Sequence, residues 1–334
     1  MNGNFVWRDA GRVVVFRESG LHDAPQLLAE HGFEPFDLLS SERHLGEASK
    51  LAAAARSISE VPPGTVPEAA AALLESGGSD SLVALGGGRI VDTAKAVASV
   101  TAAQVAAIPT TMSGAEMTGI HRLPAGAESR VTAMVRPSLV IAEPNLMTSA
   151  PEPELRASSM NALAHGADSL YTPFANPVSQ MTALRGAELI ASALDQGPAE
   201  RERDSLALGS LLCGYAIDSG AFAIHHVICQ TLVRICGCPH AGTNAAILPR
   251  ALAFIAPRAP DNLGPLASVL QTEPETIEER VLQLGGDPPG LGEIGAERDK
   301  LEEALDSILL RPELAFTPEP PDRDELRHLI EAAW

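Results

Sequence analysis

The chain has 334 residues and a formal net charge of −19, with 43 acidic against 24 basic side chains. That length exceeds one ordinary hydrophobic core and implies two domains, and the apolar content is that of a folded globular protein. The acidic excess argues against nucleic acid or an anionic membrane surface as partner, and no apolar run is long and uncharged enough to cross a bilayer, so a cytoplasmic protein acting on small molecules is expected.

In chain order, Val13–Phe16 reads as a strand, Ala24–His31 as a helix, Phe36–Leu39 as a second strand and the stretch near Gly46–Arg56 as a helix. Pro67–Glu75 reads as a helix, Ser81–Leu85 as a buried strand, Ile90–Val100 as a helix and Val105–Ile108 as the next strand. Val131–Val135 and Leu139–Ala142 look like closing strands. Strands alternating with ten-residue helices indicate a parallel, doubly wound sheet. From Pro151 the pattern is helical almost throughout, with Arg311–Asp324 a proline-rich, acidic loop before a last helix over Glu325–Ala333. The expected boundary lies between Glu143 and Pro151. It separates an α/β dinucleotide-binding domain (1–148) from an all-helical domain (149–334).

Met1-Asn-Gly-Asn-Phe-Val-Trp7 lacks a basic start followed by an apolar core and does not read as a signal peptide. Cys213, Cys229, Cys236 and Cys238 lack the spacing of a zinc knuckle or a Cys-x-x-Cys redox pair and read as free thiols.

Two motifs carry chemistry. Leu82-Val-Ala-Leu-Gly86-Gly87-Gly88-Arg89-Ile-Val-Asp92 is strand, glycine turn and helix start, an arrangement that lets backbone N–H groups and the helix dipole face a pyrophosphate. The glycines are consecutive rather than spaced as G-x-G-x-x-G, and a structural turn would use them too. Thr110, Thr111 and Ser113 follow at the carboxyl end of the next strand, the edge where ligands of open α/β sheets bind. Ordinary helix capping is the alternative use for those hydroxyls.

The second motif is a set of polar residues from separate helical segments. Asn161 and His165 are four apart and share one helix face. His225, His226, Gln230 and His240 come from a segment about sixty residues on, and convergence of two such pieces is how bundle sites are built.

These motifs together resemble the iron-containing alcohol dehydrogenase superfamily and look closest to its maleylacetate reductase branch. The resemblance rests on Gly86–Lys95, Ile108–Thr118, Ser159–Tyr171 and His225–Pro249. It implies a Rossmann-like N-terminal NAD(P) domain and an all-α C-terminal domain, the fold shared with dehydroquinate synthase, with the active site in the cleft between them and a homodimer as the assembly. It also implies a cofactor, NADH or NADPH, held by Gly86, Gly87, Gly88, Arg89, Asp92, Thr110, Thr111 and Ser113. In metal-dependent members one aspartate and three histidines hold a divalent ion; carried over, these positions are Asn161, His165, His226 and His240. An amide in place of the carboxylate removes the anionic ligand, so a metal-free site is expected, with His165, His226, His240, Asn161 and Gln230 as its catalytic residues.

Gln230 stands where the family usually has a further histidine, and Arg89 where the turn usually continues with serine. Arg234 and Arg250 are either ligands for a substrate carboxylate or surface arginines paired with acids. His225 would point about 100° away from His226 on a helix and is given a structural role. Ser40-Ser41-Glu42-Arg43, beside the expected ribose, offers both a carboxylate for NAD and an arginine for the NADP phosphate, so it does not choose between them. The leading reading is an NAD(P)H-dependent reductase of a small carbonyl or enol substrate. The alternatives are a non-redox lyase, isomerase or biosynthetic-pathway enzyme on the same fold, favoured by Gln230 and Arg89, and a non-catalytic scaffold, which would have no use for three buried histidines.

Overall fold

The computed structural model describes residues 11–75 and 80–334; the N-terminal stretch read above for a leader lies outside them. The chain divides into two compact units, one ending at Ser149 and one running Ala150–Trp334.

The first unit alternates strands and helices. In order these are β1 (Val13–Phe16), α1 (Gly20–Glu30), β2 (Asp37–Ser40), α2 (Glu42–Leu45), α3 (Ser49–Ala54), β3 (Ser57–Glu60), α4 (Val66–Glu75), β4 (Ser81–Gly86), α5 (Gly88–Thr101), β5 (Gln104–Pro109), β6 (Leu139–Ala142) and α6 (Pro144–Met147). The strands form one parallel sheet in the order β1-β6-β5-β4-β2-β3. Strand periodicity builds its two cores. Leu82, Ala84, Val105 and Ala107 project into a cluster with α4 and α5. Their neighbours Val83, Leu85, Ala106 and Ile108 project into a second cluster with Phe33, Phe36 and Leu51 on the other face. β4 and β5 are therefore buried on both faces, which explains their uninterrupted apolar runs.

Three expectations are corrected. Val131–Val135 is not a strand: the sheet passes from β5 to β6 without it. Thr132 N–H instead bonds the Ser99 carbonyl at 3.0 Å and Val135 N–H bonds His121 Nε2 at 3.0 Å. β3 was not foreseen, because Ser57-Ile-Ser-Glu60 is a largely exposed, mostly polar edge strand. The helix expected near Gly46–Arg56 is the shorter α3, with a separate one-turn helix, α2, before it.

The second unit is helical: α7 (Glu152–Tyr171), α8 (Pro177–Asp195), α9 (Arg203–Gly220), α10 (Ile224–Ile235), α11 (His240–Ile255), α12 (Pro260–Val269), α13 (Ile277–Gly285), α14 (Leu301–Leu309) and α15 (Arg323–Glu331). α7 is buried all round from Ser159 to Tyr171, as befits a bundle's central helix. Small residues let its neighbours close up: a Cβ added to Gly186 would lie 2.8 Å from the Gly209 carbonyl, and one added to Gly209 2.8 Å from that of Gly186. α8 begins with a capping box between Asn176 and Ser179. The segment expected as a plain loop before the last helix contains a 3-10 turn at Pro312–Phe316. Among the described residues no single helix is long and apolar enough to cross a membrane. All four cysteines are free and buried, and burial raises their thiol pKa values, that of Cys213 to about 12.

Candidate active site

In the α/β unit, the connection leaving β2 runs toward the β3 edge, whereas that leaving β4 runs toward β5. Such a reversal opens a crevice at the carboxyl ends of the two strands, where open α/β sheets bind ligands. The glycine turn lies there. Gly87 caps α5 with no side chain to occupy its first amides; Ile90 N–H turns back to the Gly87 carbonyl at 3.0 Å, which leaves those of Gly88 and Arg89 at the helix dipole's positive end. The glycines are also required by contact. An added Cβ would come within 2.4 Å of Ile90 Cδ1 at Gly86, 3.2 Å of Thr111 at Gly87 and 2.9 Å of Ser113 Cβ at Gly88. Both parts of the sequence signal, Gly86–Gly88 and Thr110–Ser113, therefore meet. Thr110 N–H also bonds the Gly86 carbonyl at 3.1 Å, continuing the ladder past the strand ends.

Arg89 is exposed and reaches the Pro62 carbonyl at 2.6 Å, flanking the turn from the β3–α4 connection. Asp92 pairs with Lys95 at 2.8 Å. Lys95 is wholly buried and donates also to the carbonyls of Ala115 at 2.9 Å and Ile120 at 2.7 Å, satisfying all three ammonium protons. It thereby fastens the loop after Ser113 onto α5. Sequence reasoning gave Asp92 to the cofactor and Lys95 no role; here the two form a brace behind the cradle. Glu116 in the same loop is fully buried with neither carboxylate oxygen hydrogen-bonded, and burial pushes its pKa up to about 7.

In the helical unit, α7 carries Asn161, His165 and Asp168 at helical spacing on one face, all buried. α10 carries His225, His226 and Gln230. His226 Nδ1 lies 2.8 Å from Asp168 Oδ2. An ionised carboxylate only accepts, so that nitrogen bears the proton and Nε2 is turned the other way. Nε2 is buried and has no hydrogen-bond partner. The His226 ring stacks on His165 with centroids 4.8 Å apart and planes 14° apart. His165 Nδ1 is likewise buried without a hydrogen-bond partner.

Asp168 also accepts from the backbone amides of Ala223 at 3.0 Å and His226 at 3.3 Å, and from the Tyr171 hydroxyl. Burial would raise its pKa, yet the hydrogen bond and charge of His226 and the Tyr171 bond hold it down at about 2. Burial, then His226 and His240, drive the His165 pKa well below its usual value, and burial with His226 takes His225 down to about 3. His225 turns away to Asn244 Oδ1 at 2.9 Å, while Asn244 Nδ2 donates to the His240 carbonyl at 2.7 Å. His240, the first residue of α11, is exposed and close enough to His165 to depress its basicity.

The reading from sequence missed Asp168 and Tyr171. Spacing contained the signal, because Asp168 is seven residues after Asn161 and three after His165, on the same helix face. Arg250 takes the less functional of its two readings, pairing with Glu278 at 2.5 Å and bonding the Ala332 carbonyl at 3.1 Å, whereas Arg234 donates to a hydroxyl, Ser307 Oγ, at 2.6 Å. Gln230 Oε1 instead accepts from Arg311 at 3.1 Å.

The four positions that would hold a metal offer an amide and three imidazoles, without an anionic donor. Among the described residues no group of three His, Cys, Asp or Glu side chains is arranged to hold a metal ion. The nearby carboxylate, Asp168, is committed to His226 Nδ1 and two backbone amides. These residues lack the anionic ligand of the metal-dependent members' set, although three imidazoles are by themselves a set that zinc accepts.

Two family descriptions match most of the chain: iron-containing alcohol dehydrogenase over residues 13–144, and the C-terminal part of the Fe-containing alcohol dehydrogenase family over residues 156–334. Maleylacetate reductase 1 of Rhodococcus opacus is 34% identical over 280 residues, covering 81% of this chain and 78% of that protein. Maleylacetate reductase of Rhizobium sp. strain MTP-10005 is 29% identical over 348 residues, covering 99% and 97%. The crystal structure of that Rhizobium enzyme superposes with a TM-score of 0.88, 28% identity and coverage of 99% and 98%.

Proposed function

Because this chain belongs to the iron-containing alcohol dehydrogenase family and is an oxidoreductase, we propose that it is a metal-independent, NAD(P)H-dependent reductase of a small carbonyl or enol substrate, like the maleylacetate reductases it resembles. The observation that carries the proposal is the Asp168–His226 pair, whose Nε2 is buried and without a hydrogen-bond partner. The glycine turn fits a dinucleotide pyrophosphate: small residues, and the amides of Gly88 and Arg89 at an uncapped helix start.

When bound, a reduced nicotinamide would supply hydride to the carbonyl carbon of the substrate. The substrate oxygen then needs a proton, and His226 Nε2–H gives it. Asp168 fixes the tautomer, orients the ring and stabilises the imidazolium before transfer, as in other Asp–His pairs. His165, stacked against that ring and stripped of basicity by burial, stays neutral. Neutral His165 and the Asn161 amide then orient the substrate oxygen by hydrogen bonding. Polarisation of the carbonyl comes from these donors, in place of the Lewis acid that a metal would provide. His225, turned to Asn244, is left to positioning.

The test has two arms. NADH and NADPH are titrated by quenching of their fluorescence, and turnover of maleylacetate is compared for the wild type, His226→Ala and His225→Ala. Nucleotide binding in all three, with turnover lost by orders of magnitude only in His226→Ala, is expected. Absence of nucleotide binding by the wild type would transfer the site to the non-redox alternative.

A further inference from the structure

The link from α9 to α10, Ala221-Phe222-Ala223, is strained and ends beside the proton donor. Ala221 has φ +57° and ψ −176°, a backbone region that glycine adopts and a residue with a Cβ avoids. α7 and the residue that ends it, Thr172, hold this turn on both sides. The Thr172 hydroxyl donates to the Gly220 carbonyl, and Asp168 accepts the Ala223 amide at 3.0 Å. Gly220 lies so close to α7 that an added Cβ would come within 2.7 Å of Ser169 Cβ. Between the two clamps stands Phe222, whose ring lies against that of His226 with centroids 6.0 Å apart and planes tilted by 55°. Asp168, His165 and His225 also meet that imidazole and are buried, whereas Phe222 is half-buried. Part of its ring is thus open to a molecule that approaches His226.

We propose that Phe222 is a specificity-determining residue: its ring walls the approach to His226 and restricts the protein to carbonyl compounds with slender groups on the reacting carbon. The inference rests on the reductase reading above. A phenyl side chain carries no polar handle, so what it supplies at this position is shape and the exclusion of water. A substrate oxygen that takes the His226 proton lies about 3 Å from Nε2. The groups on its carbonyl carbon are then within contact of a ring centred 6.0 Å from the imidazole. The clamps make the wall stiff, because the turn cannot swing the ring aside without losing the Asp168 or the Thr172 bond. Strain kept at such a turn marks a place where the position of a side chain outweighs local stability. A bulky group on the carbonyl carbon therefore meets a fixed obstacle, while a short unbranched one passes it.

Reduction of propanal and of 3-phenylpropanal, which differ by one phenyl group, is followed through NADH or NADPH oxidation in the wild type, Phe222→Ala and Phe222→Leu. The wild type is expected to favour propanal. Phe222→Ala is expected to move the ratio of the two kcat/KM values toward 3-phenylpropanal on the order of 10–100-fold, the range by which a pocket discriminates on bulk. Phe222→Leu is expected to fall between, and it serves as the readout if the alanine variant does not fold. An unchanged ratio, or an equal fall with both aldehydes as a merely structural role would give, overturns the proposal. Where the aldehydes are not reduced, calorimetry with propanol and 3-phenylpropanol decides. Tighter binding of 3-phenylpropanol by Phe222→Ala than by the wild type, with propanol unaltered, supports the wall, and no difference overturns it. Failure of the wild type to reduce maleylacetate as well defeats the reductase reading and leaves the wall to be judged by the calorimetry alone.

Discussion

Replacing Asp168 by asparagine removes one charge from the middle of the site and almost no volume. In the native protein the carboxylate sits 2.8 Å from His226 Nδ1 and is 1% exposed. Taking the charge centres as about 4 Å apart and an effective dielectric of about 20, the carboxylate favours the imidazolium by about 4 kcal/mol. Each 1.4 kcal/mol or so is a factor of ten in rate, so proton delivery through His226 should slow by roughly 10²–10³-fold if about two thirds or more of that term is lost. The amide oxygen can still accept from the Ala223 and His226 amides, but its NH2 then faces the Tyr171 hydroxyl, which loses its acceptor and must turn, at a cost of about 1–3 kcal/mol of stability. The assay is kcat and kcat/KM for NADH- or NADPH-dependent reduction, alongside urea unfolding and nucleotide titration. A folded Asp168→Asn protein that binds nucleotide normally and turns over within threefold of wild type would refute the Asp–His mechanism. The acid limb of stability gives a second check. The Asp168 pKa is depressed from 3.8 to about 2, so its contribution, on the order of 2 kcal/mol, is complete above about pH 4 and lost as pH falls through about 2. In Asp168→Asn that part of the pH dependence should vanish.

Three further outcomes follow from other parts of the chain. Glu116 has the opposite linkage: with its pKa raised from 4.5 to about 7, the folded state holds the proton longer than the unfolded one, so stability declines as pH rises from about 4.5 to 7, by about 3 kcal/mol. Glu116→Gln should remove most of that decline in urea melts at pH 5 and pH 8, and an unchanged pH profile would discard the assignment. Gly88→Ala, whose Cβ would meet Ser113 Cβ at 2.9 Å, should cost about 1–3 kcal/mol of stability and weaken NAD(P)H binding; unaltered nucleotide affinity would separate the turn from the cofactor. Elemental analysis should find less than stoichiometric iron or zinc in the wild-type protein, and Asn161→Asp, by restoring an anionic donor, should raise metal uptake. One tightly held ion per wild-type chain that is required for activity would reverse the reading of the site.

Sequence periodicity was sufficient for the α/β unit wherever a strand is buried on both faces, as in β4 and β5, since such strands need continuous apolar runs. It failed at Ser57–Glu60, where an edge strand presents polar side chains, and at Val131–Val135, where β-branched residues lie against α5 instead of pairing. In the helical unit, His165 and His226 were legible from motif and are stacked in the fold. Asp168 was legible only from its spacing, which a search for histidines passes over. The Gln230–Arg311 bond spans 81 residues and joins a helix to a proline-rich stretch with no periodicity, so only the folded chain reveals it. The brace from Lys95 to two carbonyls beyond Gly114 is equally silent in sequence, because backbone acceptors leave no residue signature.

Asp168 accepts the amides of Ala223 and His226, at the very start of α10, although it lies on α7 and 55 residues from the first of them. Ala223 has no side chain able to cap, so the helix borrows its N-cap from another helix. A twelve-residue helix nucleates poorly on its own in water. The first turn of α10 is therefore expected to be stable only with α7 docked against it, together with the contact of His226 with its carboxylate. Partially folded chains should accordingly lack α10 together with the imidazole–carboxylate pair, and hydrogen exchange should release the amides of both regions as one cooperative unit.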